Sequence, residues 1–255
     1  MARTLRVFVC PLAAGEQLLD PDAAHYVARV HRLAAGEELV LFDPSAGTEA
    51  VATLLEVGKK RVRVRAEEPH EVPDIGCLPV RLVQAMGKGD KPERVVKEAT
   101  ALGVSQVVLL ESERGTPRVA HTDGRATQRR RRLEASAIDA ARQSGRPRIP
   151  QVIGPLALED YLGEVTERCL VLDPRGNVGL LDVLDELSPD ADAAVEIWIG
   201  PEGGFAPAEL ELLEARGARR VRFGPLVLRT ETAACAVLGA ALAWVQRSFA
   251  QATRP

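Results

Sequence analysis

The densest chemistry lies in three bends of the last third of the chain. They read Leu172-Asp173-Pro174-Arg175-Gly176, Ile199-Gly200-Pro201-Glu202-Gly203-Gly204-Phe205 and Gly224-Pro225-Leu226-Val227-Leu228-Arg229-Thr230-Glu231-Thr232. Each follows a short apolar run of strand character. Parallel α/β sheets bind ligands just beyond the carboxyl ends of their strands. Glycine there lets a ligand approach the main chain, whose free N–H and C=O groups become its partners. Gly-Pro-Glu-Gly-Gly is also compatible with a plain turn entering a helix at Pro207, although a plain turn seldom needs so many special residues and Ala206 is a weak N-cap.

Arg229 and Glu231 are the only ionic side chains between Arg222 and Arg247. Set against an apolar helix, they need partners, because an unpaired buried charge is costly. Two readings stay open. One is a structural role, with Glu231 favoured at a helix start by the macrodipole. The other is a site in which Arg229 holds an anion or an activated base and Glu231 orients it.

Several familiar chemistries are missing. No GxGxxG follows a strand, so a Rossmann dinucleotide site is unsupported. Gly87-Lys88 is suggestive of a phosphate loop, but the earlier glycine position that loop requires is Leu82. Neither HExxH nor G-x-S-x-G occurs. His25, His31, His70 and His121 form no cluster, and Cys10, Cys77, Cys169 and Cys235 lie far apart, which argues against a metal site or a disulfide scaffold and fits a reducing, cytoplasmic setting. The N-terminus reads as lacking a secretory signal. The longest apolar run, Thr232 to Val245, is about 14 residues, short of the roughly 20 a membrane span needs, and reads as a buried helix.

The elements that must position these bends follow from periodicity. Residues 5–9 read as a strand. Asp20-Pro21 reads as an N-cap with proline in the first helical turn, opening a helix to about Leu33 with Tyr26, Val27, Val30 and Leu33 on one face. Alternating stretches over 38–42, 48–56 and 61–67, split by turn residues, make this a small, mostly β unit. Residues 68–76 read as a linker. Beyond it, strands at 80–85, 105–110, 169–172, 195–199 and 220–223 alternate with helices at 90–102, 122–144, 178–187, 207–216 and 230–249. The long helix has Leu133, Ala137 and Ala141 on its apolar side. Such alternation predicts an α/β fold on a mainly parallel sheet.

The 255 residues carry a net charge of −3 that hides a strong asymmetry: +4 over residues 1–158, −13 over 159–215 and +6 over 216–255. Lys59–Arg65 and the run Arg129–Arg132 form basic stripes. Local stripes can hold a polyanion even on an acidic protein, or can be solvated faces. An aromatic content of 4% argues against a base-stacking platform.

Gly200–Phe205 (GPEGGF) followed by Leu228–Ala233 (LRTETA) resembles the RsmE family of SPOUT methyltransferases, which methylate N3 of a uridine in small-subunit (16S) ribosomal RNA. The likeness extends over nearly the whole chain. His25–Arg32 (HYVARVHR), Gly36 and Leu41-Phe42-Asp43 are similar to the family's RNA-binding domain. Lys88–Glu93, Lys97, Leu102-Gly103-Val104 and Ser112-Glu113-Arg114 are similar to the start of its catalytic domain, and Gln143-Ser144-Gly145-Arg146 with Ile149-Pro150 to a further block. Ala101 and Arg142 stand where the family usually has an acid.

The resemblance implies a small PUA-like β domain over 1–72 and a SPOUT methyltransferase domain, trefoil-knotted, over 73–255. It implies S-adenosyl-L-methionine held bent by Leu172 and Pro174, by Ile199, Gly200, Pro201, Glu202, Gly203 and Gly204, and by Phe223, Gly224, Leu226, Leu228, Thr230, Thr232 and Ala233. A side chain at Gly203 is expected to block that cofactor. Arg229 and Glu231 are the expected catalytic pair. Arg6, Arg29, Arg32, Lys88, Lys91, Arg114, Arg129, Arg130 and Arg146 are the expected RNA contacts. No metal and no membrane are implied. The expected partners are small-subunit rRNA within an assembled subunit and a second copy of the chain. Leu238, Leu242 and Val245 mark either the dimer surface or the chain's own core. Two other readings remain: a SPOUT enzyme acting on tRNA or a ribose 2′-OH, and a non-catalytic rRNA assembly factor.

Overall fold

Alternating side chains early in the chain build a six-stranded sheet. Its strands are β1 (Arg6–Phe8), β2 (Gly15–Leu18), β3 (Glu38–Asp43), β4 (Thr48–Val57), β5 (Val62–Ala66) and β6 (His70–Glu71), and α1 (Pro21–His25) lies between β2 and β3. The order is β1-β3-β4-β5-β2, with β6 added to β4, so part of the expected linker is strand. In this computed structural model residues 4–58, 61–74, 77–115, 124–187 and 194–252 are described. Lys59 and Lys60 of the first basic stripe, the linker's Ile75 and Gly76, and Thr122 at the expected helix start lie outside them. The chain divides into two units, residues 1–75 with 138–149, and residues 76–137 with 150–255.

The period of two explains the first stripe. Val62, Val64 and Ala66 point inward while Arg63 and Arg65 point outward. There, on the exposed face, they meet acids: Arg65 pairs with Glu16 at 2.7 Å, and Arg63 with Glu16 and Glu56 at 3.7 and 3.5 Å. Glu16 sits on β2, a strand the sequence did not signal because Gly-Glu-Gln-Leu lacks apolar alternation. Asp20 caps α1 as expected, accepting from the Ala23 N–H at 2.8 Å. The helix then widens into a π-helical turn, Tyr26–His31, and stops before Leu33. The wider winding breaks the 3.6-residue period. Val27 is therefore buried, whereas Val30, expected on the same face, is exposed.

The second unit is built on β7 (Leu78–Ala85), β8 (Val104–Glu111), β9 (Gln151–Ala157), β10 (Cys169–Leu172), β11 (Val178–Gly179), β12 (Val195–Ile199) and β13 (Arg219–Arg222). The order is β11-β13-β10-β12-β7-β8-β9, and every described pairing is parallel. The α/β expectation holds. The helices are α2 (Lys91–Ala101), α3 (Gly124–Ser144), whose residues from Ile138 on belong to the first unit, α4 (Leu158–Tyr161), α5 (Leu180–Glu186), α6 (Pro207–Glu214) and α7 (Thr230–Ala252). Helices on a parallel sheet leave its strands apolar on both faces, and β12 is buried throughout. Strand β9 escaped the sequence reading because Gly154-Pro155 interrupts it, and proline is tolerated there because β9 is an edge.

Trp198 anchors this core against Tyr161 and Phe205, with centroids 5.7 and 6.4 Å apart. Beneath it the buried Glu196 accepts from Tyr161 Oη at 3.0 Å, Trp198 Nε1 at 3.0 Å and Cys169 Sγ at 3.2 Å, and pairs with Arg81 at 3.3 Å. Burial, then the Glu196 charge, pushes the Cys169 thiol up to about 12. Helix α7 packs on α2 and α5. Its Leu238 and Val245 are buried within the chain and belong to its own core, while Leu242 is half-buried. Among the described residues no helix is long and apolar enough to cross a membrane.

Candidate functional site

The neighbouring order β13-β10-β12 sets the three bends side by side at the carboxyl ends of their strands. Between them lies a cavity of about 310 Å³. Leu172 and Pro174 form one wall, Ile199, Gly200, Pro201, Glu202 and Gly204 a second, and Phe223, Leu226, Leu228, Thr230 and Ala233 a third. Arg229 stands among them. Val227 also lines the cavity and carried no signal of its own beyond its apolar neighbours. Gly203, Gly224 and Thr232, expected in the same set, do not line it.

The middle bend is held by local bonds. Gly204, at φ +68°, closes a turn in which its N–H donates to Pro201 C=O at 2.8 Å. A Cβ at Gly200 would lie 2.9 Å from the Phe205 N and 3.1 Å from Gly204 backbone atoms, so only glycine allows the return of the chain there. At Gly203 a Cβ meets only the Arg114 side chain at 3.6 Å. A Cβ at Gly203 is thus directed at Arg114, whereas at Gly200 it would crowd the loop backbone, which makes Gly200 the more constrained position. The weak Ala206 cap is compensated from within the helix. Glu209 takes the Ala206 N–H at 2.7 Å and, with its other oxygen, the Glu113 N–H at 2.8 Å.

Asp173 steadies the first bend. Burial would raise its pKa, but hydrogen bonds from the Arg175 side chain and N–H and from Arg220 outweigh it and hold the carboxyl below its usual value. The Arg220 contact is 2.9 Å.

A cluster of charge borders the cavity. Lys91 Nζ contacts Glu202 Oε1 at 2.5 Å and Glu231 Oε2 at 3.7 Å. The hydrogen bond to Glu202 raises the Lys91 pKa, and the same bond lowers that of Glu202. Glu231 is lowered first by its own N–H at the helix start and then, against burial, by Lys91; Thr230 Oγ1 donates to it at 3.2 Å. At neutral pH the cluster holds two carboxylates and an ammonium. Arg229 is exposed and has no ion-pair or hydrogen-bond partner among the described side chains, so the premise that it is a buried charge fails, and it does not pair with Glu231.

The expected RNA contacts separate into three groups. Arg29, Arg32, Lys88, Arg114 and Arg130 are exposed and Arg129 is half-buried. Lys91 belongs to the charge cluster. Arg6 and Arg146 are corrections. Arg6 is buried, pairs with Glu49 and donates to Ala141 C=O at 2.8 Å. Arg146 is buried and pairs with Asp74 at 3.3 Å. Buried cations must be paired, and these two brace the first unit instead of facing a ligand. Among the described residues no group of His, Cys, Asp and Glu could hold a metal ion.

Residues 76–242 match the family described as RNA methyltransferase domain, and residues 19–67 match RNA methyltransferase PUA domain. A Mycobacterium bovis relative named ribosomal RNA small subunit methyltransferase E is 34% identical over 247 residues, 94% of this chain and 91% of the relative. The chain belongs to the RsmE family. A Bacillus subtilis RsmE is 26% identical over 229 residues, covering 86% of each chain. Among solved structures, a Legionella pneumophila methyltransferase in complex with bound SAM superposes with a TM-score of 0.84 at 32% identity, covering 95% of this chain and 98% of the other. A Neisseria gonorrhoeae RsmE bound to S-adenosyl methionine gives 0.80 at 25% identity, over 93% and 96%. The family match thus spans both the sheet that carries the cavity and the smaller β unit.

Proposed function

We propose that the chain transfers a methyl group from S-adenosyl-L-methionine to N3 of a uridine in small-subunit (16S) ribosomal RNA. The observation that carries this is the cavity at three adjacent strand ends with the unpaired Arg229 on its wall, in a member of the RsmE family. The residues fit the cofactor. Leu172, Ile199, Phe223 and Leu228 offer apolar walls. Among the described residues no hydrogen bond holds the N–H or C=O groups of Leu226, Val227 or Leu228, which leaves main-chain partners for a bound ring and amino acid.

The cofactor, when bound, supplies a methyl group on a sulfonium. Uridine N3 carries an imide proton and is a poor nucleophile until that proton leaves. Arg229 holds the charge that develops on a uracil oxygen. Lys91, kept protonated, adds positive potential beside it. Glu231, ionised at neutral pH, takes the proton through water. Positioning and fixed charge supply most of the rate, and base catalysis contributes about 10²–10⁴-fold.

In this reading residues 1–72 bind RNA and 73–255 form the catalytic, trefoil-knotted domain of a cytoplasmic enzyme. The protein works as a homodimer on an assembled subunit. Support for the dimer comes from Leu226 and Val227, 75% and 79% exposed on the cavity wall, an apolar edge that a second copy would cover. The test is methylation of small subunits from a strain lacking the activity, followed by mass-spectrometric mapping. A single new N3-methyluridine in 16S rRNA is the expected outcome. Methylation of tRNA or of a ribose, or none with intact cofactor binding, refutes it.

A further inference from the structure

A second cavity, of about 300 Å³, lies within the first unit. Its walls are Phe8, Asp20, Asp22, His25, Tyr26 and Arg142. The Arg142 guanidinium lies over the Tyr26 ring, 4.1 Å from its centroid. His31 packs edge-on against the same ring at 4.5 Å. Arg142, stacked on Tyr26, is itself part of the cavity wall.

Several polar atoms here have no partner among the described residues. Arg142 Nε is shielded from solvent and has no hydrogen-bond partner. Asp20 commits Oδ1 to the Ala23 N–H, and Asp22 has no partner among the described residues. The cavity thus combines a guanidinium plane and free carboxylate oxygens, at a volume in the range of small-molecule sites.

A free phosphate is disfavoured by two carboxylates. A flat ring that stacks on a guanidinium and donates to a carboxylate is favoured, and unstacked RNA bases use Arg planes in this way. Guanine is the RNA base that presents two adjacent donors, N1–H and N2–H₂, on its Watson–Crick edge. We propose that this cavity receives an unstacked guanine of the RNA substrate, its ring on Arg142 and its Watson–Crick edge on Asp22. The proposal rests on the reading that the chain acts on RNA, and places a base-reading site outside the methyl-transfer site.

The test uses the full chain and fluorescence anisotropy with single-stranded RNA hexamers that differ at one central nucleotide: guanosine, inosine, which lacks the 2-amino group, or uridine. The guanosine oligomer is expected to bind best. Arg142→Ala raises its Kd about tenfold, the size of one base stack, and leaves the uridine oligomer nearly unchanged. Asp22→Asn, at an exposed position outside the core, removes the preference for guanosine over inosine and keeps the chain folded by circular dichroism. Equal affinity of wild type for all three oligomers overturns the proposal. So does a loss in Arg142→Ala that is the same for every oligomer and flattens the salt dependence, which makes Arg142 a phosphate contact only. rRNA methylation measured on the same proteins separates the two ideas. Guanosine preference without methylation refutes the proposed function alone, and methylation without guanosine preference refutes the guanine site alone.

Discussion

Gly200→Ala is the sharpest probe of the cavity. The added methyl lands 2.9 Å from Phe205 N and 3.1 Å from Gly204 C and Cα. All three are backbone atoms, so no side chain can swing aside. Restoring ordinary contact near 3.4 Å requires the Gly204-Phe205 segment to retreat by about 0.5 Å. That segment is pinned on both sides, by the Gly204-to-Pro201 turn and by Phe205 packed in the core. Overpacking of this kind costs about 1–3 kcal/mol. If the strain falls on the cavity wall, affinity for S-adenosylhomocysteine drops roughly 5- to 150-fold. If it falls on the fold, the melting temperature drops instead. Isothermal calorimetry and a thermal melt on the same sample read both. Gly203→Ala is the control: its Cβ finds only the Arg114 side chain at 3.6 Å, and it should bind within about twofold of wild type. A Gly200→Ala protein with unchanged affinity and unchanged melting temperature would refute the reasoning.

Other outcomes follow from the same geometry. Arg229→Ala should lower kcat strongly with cofactor affinity nearly intact, since the guanidinium is unpaired before RNA arrives; equal loss of cofactor affinity contradicts that role. Glu196→Ala strands the Tyr161 hydroxyl and Trp198 N–H in the core, at about 3 kcal/mol or more, or roughly 6–12 °C in Tm. A thiol reagent should spare Cys169, buried and with a pKa near 12, until denaturant is added. The Asp173 pKa is lowered in the fold, so its contribution is fully present above its unfolded value near 3.8 and is lost as the pH falls through the lower folded value. Urea midpoints of wild type and Asp173→Asn should differ at pH 7 and converge in strong acid; a constant gap contradicts the assignment. Replacing Arg129 and Arg130 together should flatten the salt slope of RNA binding by roughly one unit, and an unaltered slope assigns them to a solvated face.

The three ligand bends were legible because glycine and proline report backbone geometry directly, and because apolar runs mark buried parallel strands. What failed was three-dimensional direction. Arg229 and Glu231 are two residues apart at a helix start, yet only Glu231 turns toward Lys91, a partner 140 positions earlier that no local pattern announces. Arg6 and Arg146 have the right charge for RNA, but each is buried against an acid, Glu49 or Asp74, that sequence spacing could not assign. Leu238 and Val245 are apolar enough for a subunit interface and are instead covered by the chain itself. The π-helical turn at Tyr26–His31 and the proline-bearing edge strand β9 escaped because both break the periods on which such readings depend.

The most direct measurement is a crystal structure of the chain with S-adenosylhomocysteine. The ligand is expected among Leu172–Pro174, Pro201–Gly204 and Leu226–Leu228, with Arg229 free at its edge. Density for the ligand elsewhere, with those three bends empty, would contradict this placement.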